Sequence, residues 1–241
     1  MMSPYGLRLV SYGFILAMTS LLLEALWSVS WSFWPGLGPA LWESAFLVSL
    51  VALAVVGFGT PMWYVLEESW ARKVQPLVGW ALGIPTVALG FFFLKNVMVS
   101  LHQPLSLSTT VWALTVWQLP FWHQALAEAA LTVSESEQWA AYALGLPKQE
   151  VFWRYRVLIM GPRVLGAFFL LLQRVLGEAT LLLFTLGVGT HSTPLSLVIW
   201  QAYMEGHEGQ ALEYALVLVA LLTFLAWLGH FATRRRSWCL K

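Results

Sequence analysis

The stretch EAALTVSESEQWAAYALGLPKQEVFWRYRVLIMGPRVLGAFFLLLQRVLGEATLLLFT, Glu128 to Thr185, holds the two features from which the rest of the chain is read. In its first half, alanine-rich Trp139 to Leu144 favours a helix, Gly145 and Pro147 end it, and Glu150 to Leu158 resumes with aromatic and basic residues. Its second half is an apolar run carrying two charges, Arg174 and Glu178, where hydrocarbon is expected. An arginine at the centre of a bilayer costs roughly 2.5 to 3.5 kcal/mol on the insertion scale. A membrane protein that keeps such a pair is expected to use it.

Composition places the chain in a membrane. Of its 241 residues 59% are hydrophobic and only 10% charged, with a mean hydropathy of +0.71, whereas a soluble domain carries about 25% charged residues. The 15 tryptophans suit interfacial anchoring near the ends of spans. The single Cys239 has no internal disulfide partner.

Apolar runs of about 20 residues, the length that crosses ~30 Å of hydrocarbon, predict six spans. They run from Leu7 to Val29, Ala40 to Leu66, Pro76 to Val99, Leu105 to Leu126, Pro162 to Val188 and Ala211 to Phe231. The first exceeds the apolar core of a secretory signal and no small-x-small cleavage site follows, so it is read as a retained span. Pro120 and His123 interrupt the end of the fourth, and a proline there is tolerated where neighbouring helices satisfy the freed carbonyl. The predicted fold class is therefore an all-α polytopic membrane protein.

Orientation follows from the basic residues, which cytoplasmic loops retain. With the N-terminus inside, Arg8, Arg72, Lys73, Lys148, Arg154, Arg156, Arg163, Arg234, Arg235, Arg236 and Lys241 all fall on one side. Of the 13 basic residues only Lys95 and Arg174 remain, both within spans, and the opposite loops, Trp31 to Pro39 and His191 to Gln210, contain no Lys or Arg. Both termini and the loop 127–161 are thus expected in the cytoplasm. Three regions result: 1–39, a first span with its external loop; 40–233, the transmembrane core with that cytoplasmic loop; and 234–241, a basic tail facing anionic lipid.

The chain has no internal repeat, low-complexity tract, phosphate-binding glycine loop or metal-ligand cluster. A transporter of this kind draws energy from an ion gradient or from a partner. A short helix closed by a glycine turn, presenting Trp139, Tyr142 and Leu144, offers an apolar knob to a groove on another protein; the alternative is an interfacial helix resting on lipid. Arg174 and Glu178 stand four apart, a spacing that on one helical face lets them pair and lowers the cost of both charges. Acid after base is the less favourable order on an isolated helix, so local helix stability explains the pair poorly. It either faces a translocation path or links this helix to another. Arginine's planar fork binds oxyanions in a bidentate manner, and a glutamate beside it holds it until an anion competes.

These residues resemble a family. Trp139-Ala140-Ala141, three further residues, Gly145 and the run to Pro162 resemble the "EAA" loop of binding-protein-dependent ABC transporter permeases, which docks on the ATPase subunit. Within that superfamily the chain is most similar to the two permeases of bacterial phosphate importers. EAALTV (Glu128 to Val133) and AAYALG (Ala140 to Gly145) are similar to EALRAVP and EAALALG segments at the same separation. RVLGEATLLLFTLG (Arg174 to Gly187) resembles R-A-L-G-E-T-A-P-L-L-F-T of the A-type subunit, LGIPTVALGFFFL (Leu82 to Leu94) a core helix A-G-x-P-S-x-x-x-G-L-F-x-L, and TPLSLVIWQAY (Thr193 to Tyr203) the stretch S-L-P-V-Q-I-Y-N-W. The likeness covers roughly Leu41 to Thr233. It departs where the loop's eponymous glutamate is Trp139 and where a Leu-Pro stands as Val157-Leu158, with the later proline kept as Pro162.

The resemblance implies a type I ABC importer permease with six spans and no catalysis of its own. It would form half of a translocation pathway for phosphate, with Arg174 and Glu178 lining it and Trp139, Ala140, Ala141, Tyr142, Leu144 and Gly145 coupling it to the ATPase. The implied partners are a second permease, two ATPase subunits that bind the ATP, and an extracytoplasmic phosphate-binding protein; no nucleic acid is expected, and this chain binds no cofactor or metal. Other readings are a permease for molybdate, tungstate or sulfate, and a permease-like regulatory subunit that does not transport. Of the remaining polar residues, Lys95 is expected to snorkel, His102, His123, His191, His207 and His230 show no ligand spacing, Glu24 and Glu43 sit near the outer boundary, and Gly83, Pro85 and Gly90 permit close packing or a kink.

Overall fold

The computed structural model describes residues 37–67, 83–99, 106–147, 150–151, 157–186 and 193–234. The expected first span, the tail 235–241, His102, His191 and the basic residues Arg72, Lys73, Lys148, Arg154 and Arg156 lie outside the described residues. All regular structure within them is helical: α1 Leu37–Glu67, α2 Thr86–Phe92 continued by a π-helical segment Phe93–Val99, α3 Leu107–Ala130, α4 Glu135–Ala143, α5 Val157–Leu176, α6 Thr180–Thr185, α7 Leu195–Met204 and α8 Glu208–Arg234. Three of these are long and apolar enough to cross a membrane, Leu37–Trp63, Ile159–Leu176 and Glu208–Thr233.

The core is a bundle of α1, α3, α5 and α8. Leu47, Val48, Val51, Ala52 and Val55 recur along α1 at helical spacing and are buried against Ala113, Leu114, Trp117 and Trp122 of α3. Trp122 also donates its indole N–H to Thr60 Oγ1 at 3.2 Å, tying the two helices beside Pro61. From α5, Leu171 and Val175 enter the same core. The α5 and α8 backbones meet at a pair of glycines: a Cβ at Gly166 would lie 3.1 Å from the Gly229 carbonyl, and one at Gly229 3.2 Å from that of Gly166. Small residues on both sides let two helices approach this closely.

At 24 residues α3 matches a span in length, but it buries Thr110, Thr115, Gln118 and His123, polar groups that an ordinary lipid-facing helix avoids. It starts at Ser106, whose Oγ accepts the Thr109 N–H, and runs through Pro120 to Ala130, past the expected end at Leu126.

Two expectations change. The apolar run from Pro162 to Val188 is not one helix: α5 stops at Leu176, Gly177 and Glu178 turn the chain, and α6 follows and packs on α2 and α3. Here Phe184 of α6 covers Gly90 of α2 so closely that a Cβ on that glycine would clash with its ring. The stretch expected as an external loop, His191 to Gln210, contains α7, which packs on α8 and α1. Leu195 at its start is fully buried, and its N–H donates to Ser44 Oγ of α1 at 2.7 Å. Buried polar satisfaction at a helix start anchors α7, where sequence length alone argued against a span.

Candidate functional site

Arg174 lies in the last turn of α5, exposed on this chain rather than sunk in the bundle. Its Nε donates to Gln118 Oε1 at 3.1 Å, and its Cζ stands 4.8 Å from the centroid of the Phe121 ring. Gln118 is itself only 1% exposed. Neighbouring turns of α3 therefore hold the guanidinium by one hydrogen bond and one cation–π contact. Of a guanidinium's five N–H donors, this arrangement engages one with described residues, so the fork is oriented but not consumed.

The bond to Glu178 expected from the four-residue spacing is not formed. That spacing places side chains on one face only if the helix is continuous, and here it is not: Gly177 N–H still donates to Gln173 O at 3.0 Å, while Glu178 N–H has tightened onto Val175 O at 3.2 Å. Glu178 Oε1 accepts instead from the Leu181 N–H at 3.1 Å. From the position before the N-cap Ala179 it thus satisfies an N–H in the first turn of α6.

Arg174 and Glu178 nonetheless line one cavity of about 410 Å³, together with Thr86, Trp117, Gln118 and Gln173. Arg174 also lines a second cavity of about 750 Å³ formed by α3, α5 and α8, whose other polar lining includes Gln124, Glu128, Arg163, His230 and Thr233. Arg174 thus borders both cavities. Gln118, Gln173 and Thr86 were not singled out from sequence; the available signal was Gln118, a polar residue in the middle of the apolar run VWALTVWQLPFW.

The loop helix α4 presents Trp139 and Leu144, 71% and 82% exposed, with Ala140 exposed and Tyr142 half-buried. Trp139 and Tyr142 pack edge to face, ring centroids 6.2 Å apart. Ala141 departs from the expected presenting set, being only 7% exposed; two residues beyond Trp139, it points to the opposite side of so short a helix. Gly145 has φ +80°, its N–H donates to Tyr142 O and the Leu146 N–H to Ala141 O, the pair of bonds that closes a helix through a left-handed residue. Among the other residues weighed from sequence, His123 is buried with both ring nitrogens lacking a described partner, and His207 Nδ1 is 3.8 Å from Glu205 Oε2.

Residues 66–238 match the family described as binding-protein-dependent transport system inner membrane component. A search of curated proteins finds no match. Two solved structures share the fold, both titled as inward-facing conformations of the MetNI methionine ABC transporter. The CY5 native crystal form is 18% identical, with a TM-score of 0.66 over 85% of this chain and 96% of that one. The CY5 selenomethionine soak form is also 18% identical, with a TM-score of 0.64 over 80% and 92%.

Proposed function

The chain belongs to the family of binding-protein-dependent transport system inner membrane components, a membrane-embedded permease subunit of an ABC importer, and on that footing we propose that it imports a tetrahedral oxyanion, phosphate first. Membership implies an ATPase, a substrate-binding protein and a second permease as partners. In this reading two ATPase copies bind and hydrolyse ATP, and the second permease closes the open side of the cavities that Arg174 lines.

The observation that carries the oxyanion reading is Arg174 oriented by Gln118 and Phe121 where it borders two cavities. An arginine fixed at Nε keeps its two terminal nitrogens for bidentate capture of an oxyanion. The motif around it, RVLGEATLLLFT, supports phosphate in particular. Energy enters at α4, where exposed Trp139 and Leu144 offer an apolar contact to the ATPase.

A second reading rests on Glu178 sharing the smaller cavity with Arg174: opposite charges side by side suit the carboxylate and ammonium of an amino acid, the substrate class named for the structures of like fold. Uptake by the complete complex in proteoliposomes separates the two. Wild type is expected to take up labelled phosphate and ignore methionine, and Arg174→Gln is expected to lose nearly all uptake while the complex still assembles. Methionine uptake without phosphate uptake would reverse the assignment.

A further inference from the structure

A second arginine, Arg163, lines the larger cavity together with Arg174. Arg163 and Arg174 are eleven residues apart on α5, three turns and roughly 16 Å along the axis, and within about 20° of one face. Between them Gly166, Ala167 and Leu170 line the same space, with Gly166 at the seam where α5 packs against Gly229 of α8. To the same lining α8 contributes Gly229, His230 and Thr233, and α3 contributes Gln124 and Glu128. Three helices thus each turn a single i, i+3, i+4, i+7 stripe toward one vestibule, with an arginine at either end.

From this juxtaposition we infer that Arg163, opposite His230, is a second oxyanion-binding station on the exit side of the pathway, receiving the anion after Arg174 releases it. The inference rests on the oxyanion reading of Arg174. Arg163 is exposed to the vestibule, and among the described residues it is in no ion pair. Glu128 lies at the same end with its Oε1 accepting from Gln124 Nε2 at 2.9 Å, so it is held beside the station without neutralising it. A carboxylate at that place weakens the hold on an anion, which suits a step from which the anion must leave. A phosphate-bearing lipid headgroup has the same chemistry as free phosphate, and the test below tells them apart.

The test uses the assembled transporter in nanodiscs without ATP, with Cys239→Ser removing the one native thiol and Ala167→Cys placing a reporter one turn from Arg163 and two from Arg174. Inorganic phosphate is expected to slow labelling of that thiol by an uncharged maleimide. Arg163→Gln is expected to raise the half-protecting phosphate concentration about tenfold, the loss of one charge-assisted hydrogen bond, with Arg163→Lys raising it less. An unchanged value in Arg163→Gln beside a raised value in Arg174→Gln would overturn the station and leave the first reading standing. A shift with Arg163→Gln alone would leave a single anion site at Arg163 and overturn both the Arg174 reading and the hand-over from it. If neither phosphate nor sulfate protects in any background, both fall together. Protection that follows phosphatidylglycerol content rather than added phosphate would assign Arg163 to lipid and overturn the station. Should Ala167→Cys fail to assemble, Ala226→Cys on α8 reports on the same cavity.

Discussion

Glu178 holds a backbone N–H that Arg174 does not touch, so the two charges can be separated by mutation. Glu178→Gln keeps an acceptor for Leu181 and is expected to preserve the amount of assembled complex, whereas Glu178→Ala removes that acceptor at a cost of about 1 kcal/mol and is expected to lower it. If the carboxylate's charge also acts in the pathway, both variants lose uptake per complex. Full uptake in Glu178→Gln would confine the residue to holding that N–H. Because no bond joins the pair, the Arg174→Gln and Glu178→Gln double variant is expected to show no mutual rescue in the same uptake assay. Arg174 was legible in the sequence because a charge in an apolar run is rare and costly. Its ligand Gln118, 56 positions away, was not, since an isolated glutamine in a span does not say which helix it meets.

The loop helix α4 tests what an element needs. Gly145 at φ +80° occupies a conformation that costs a residue with a Cβ roughly 1 to 2 kcal/mol, so Gly145→Val is expected to reopen the turn and redirect Trp139 and Leu144. The measurement is the ratio of ATP hydrolysed to substrate imported by the assembled complex, which should rise while membrane insertion stays normal. Cysteine crosslinks to the ATPase are expected from Ala140 and Leu144 and not from buried Ala141. Failure from both exposed positions in an assembled complex would return α4 to the lipid interface. Here the glycine and the alanine-rich run marked helix and stop, yet nine residues are too few for the sequence to show which side of α4 packs inward.

For the whole molecule, the segregation of lysine and arginine predicts that a reporter within Ser134 to Gln138 or after Lys241 reads cytoplasmic. One in the tight turn between α7 and α8, at Gly206, is expected to read external. A cytoplasmic signal there would invert the topology and remove the basis for the ATPase contact at α4. By itself the sequence determined that this chain is a helical membrane protein of the permease family, because span length, charge segregation and the loop motif are local properties written in consecutive residues. It also located Arg174 and the Gly145 turn. Only the tertiary structure decided that the run after Pro162 breaks at Gly177, that α7 folds back onto α1 and α8, and that Glu178 holds the Leu181 N–H of α6 instead of pairing with Arg174. Each of these depends on a partner far away in the chain, Phe184 against Gly90, Ser44 beneath Leu195 and Gln118 beside Arg174. Apolar composition is satisfied equally by a straight helix or a broken one, and the choice falls to whichever backbone and side-chain groups find their hydrogen bonds when the helices pack.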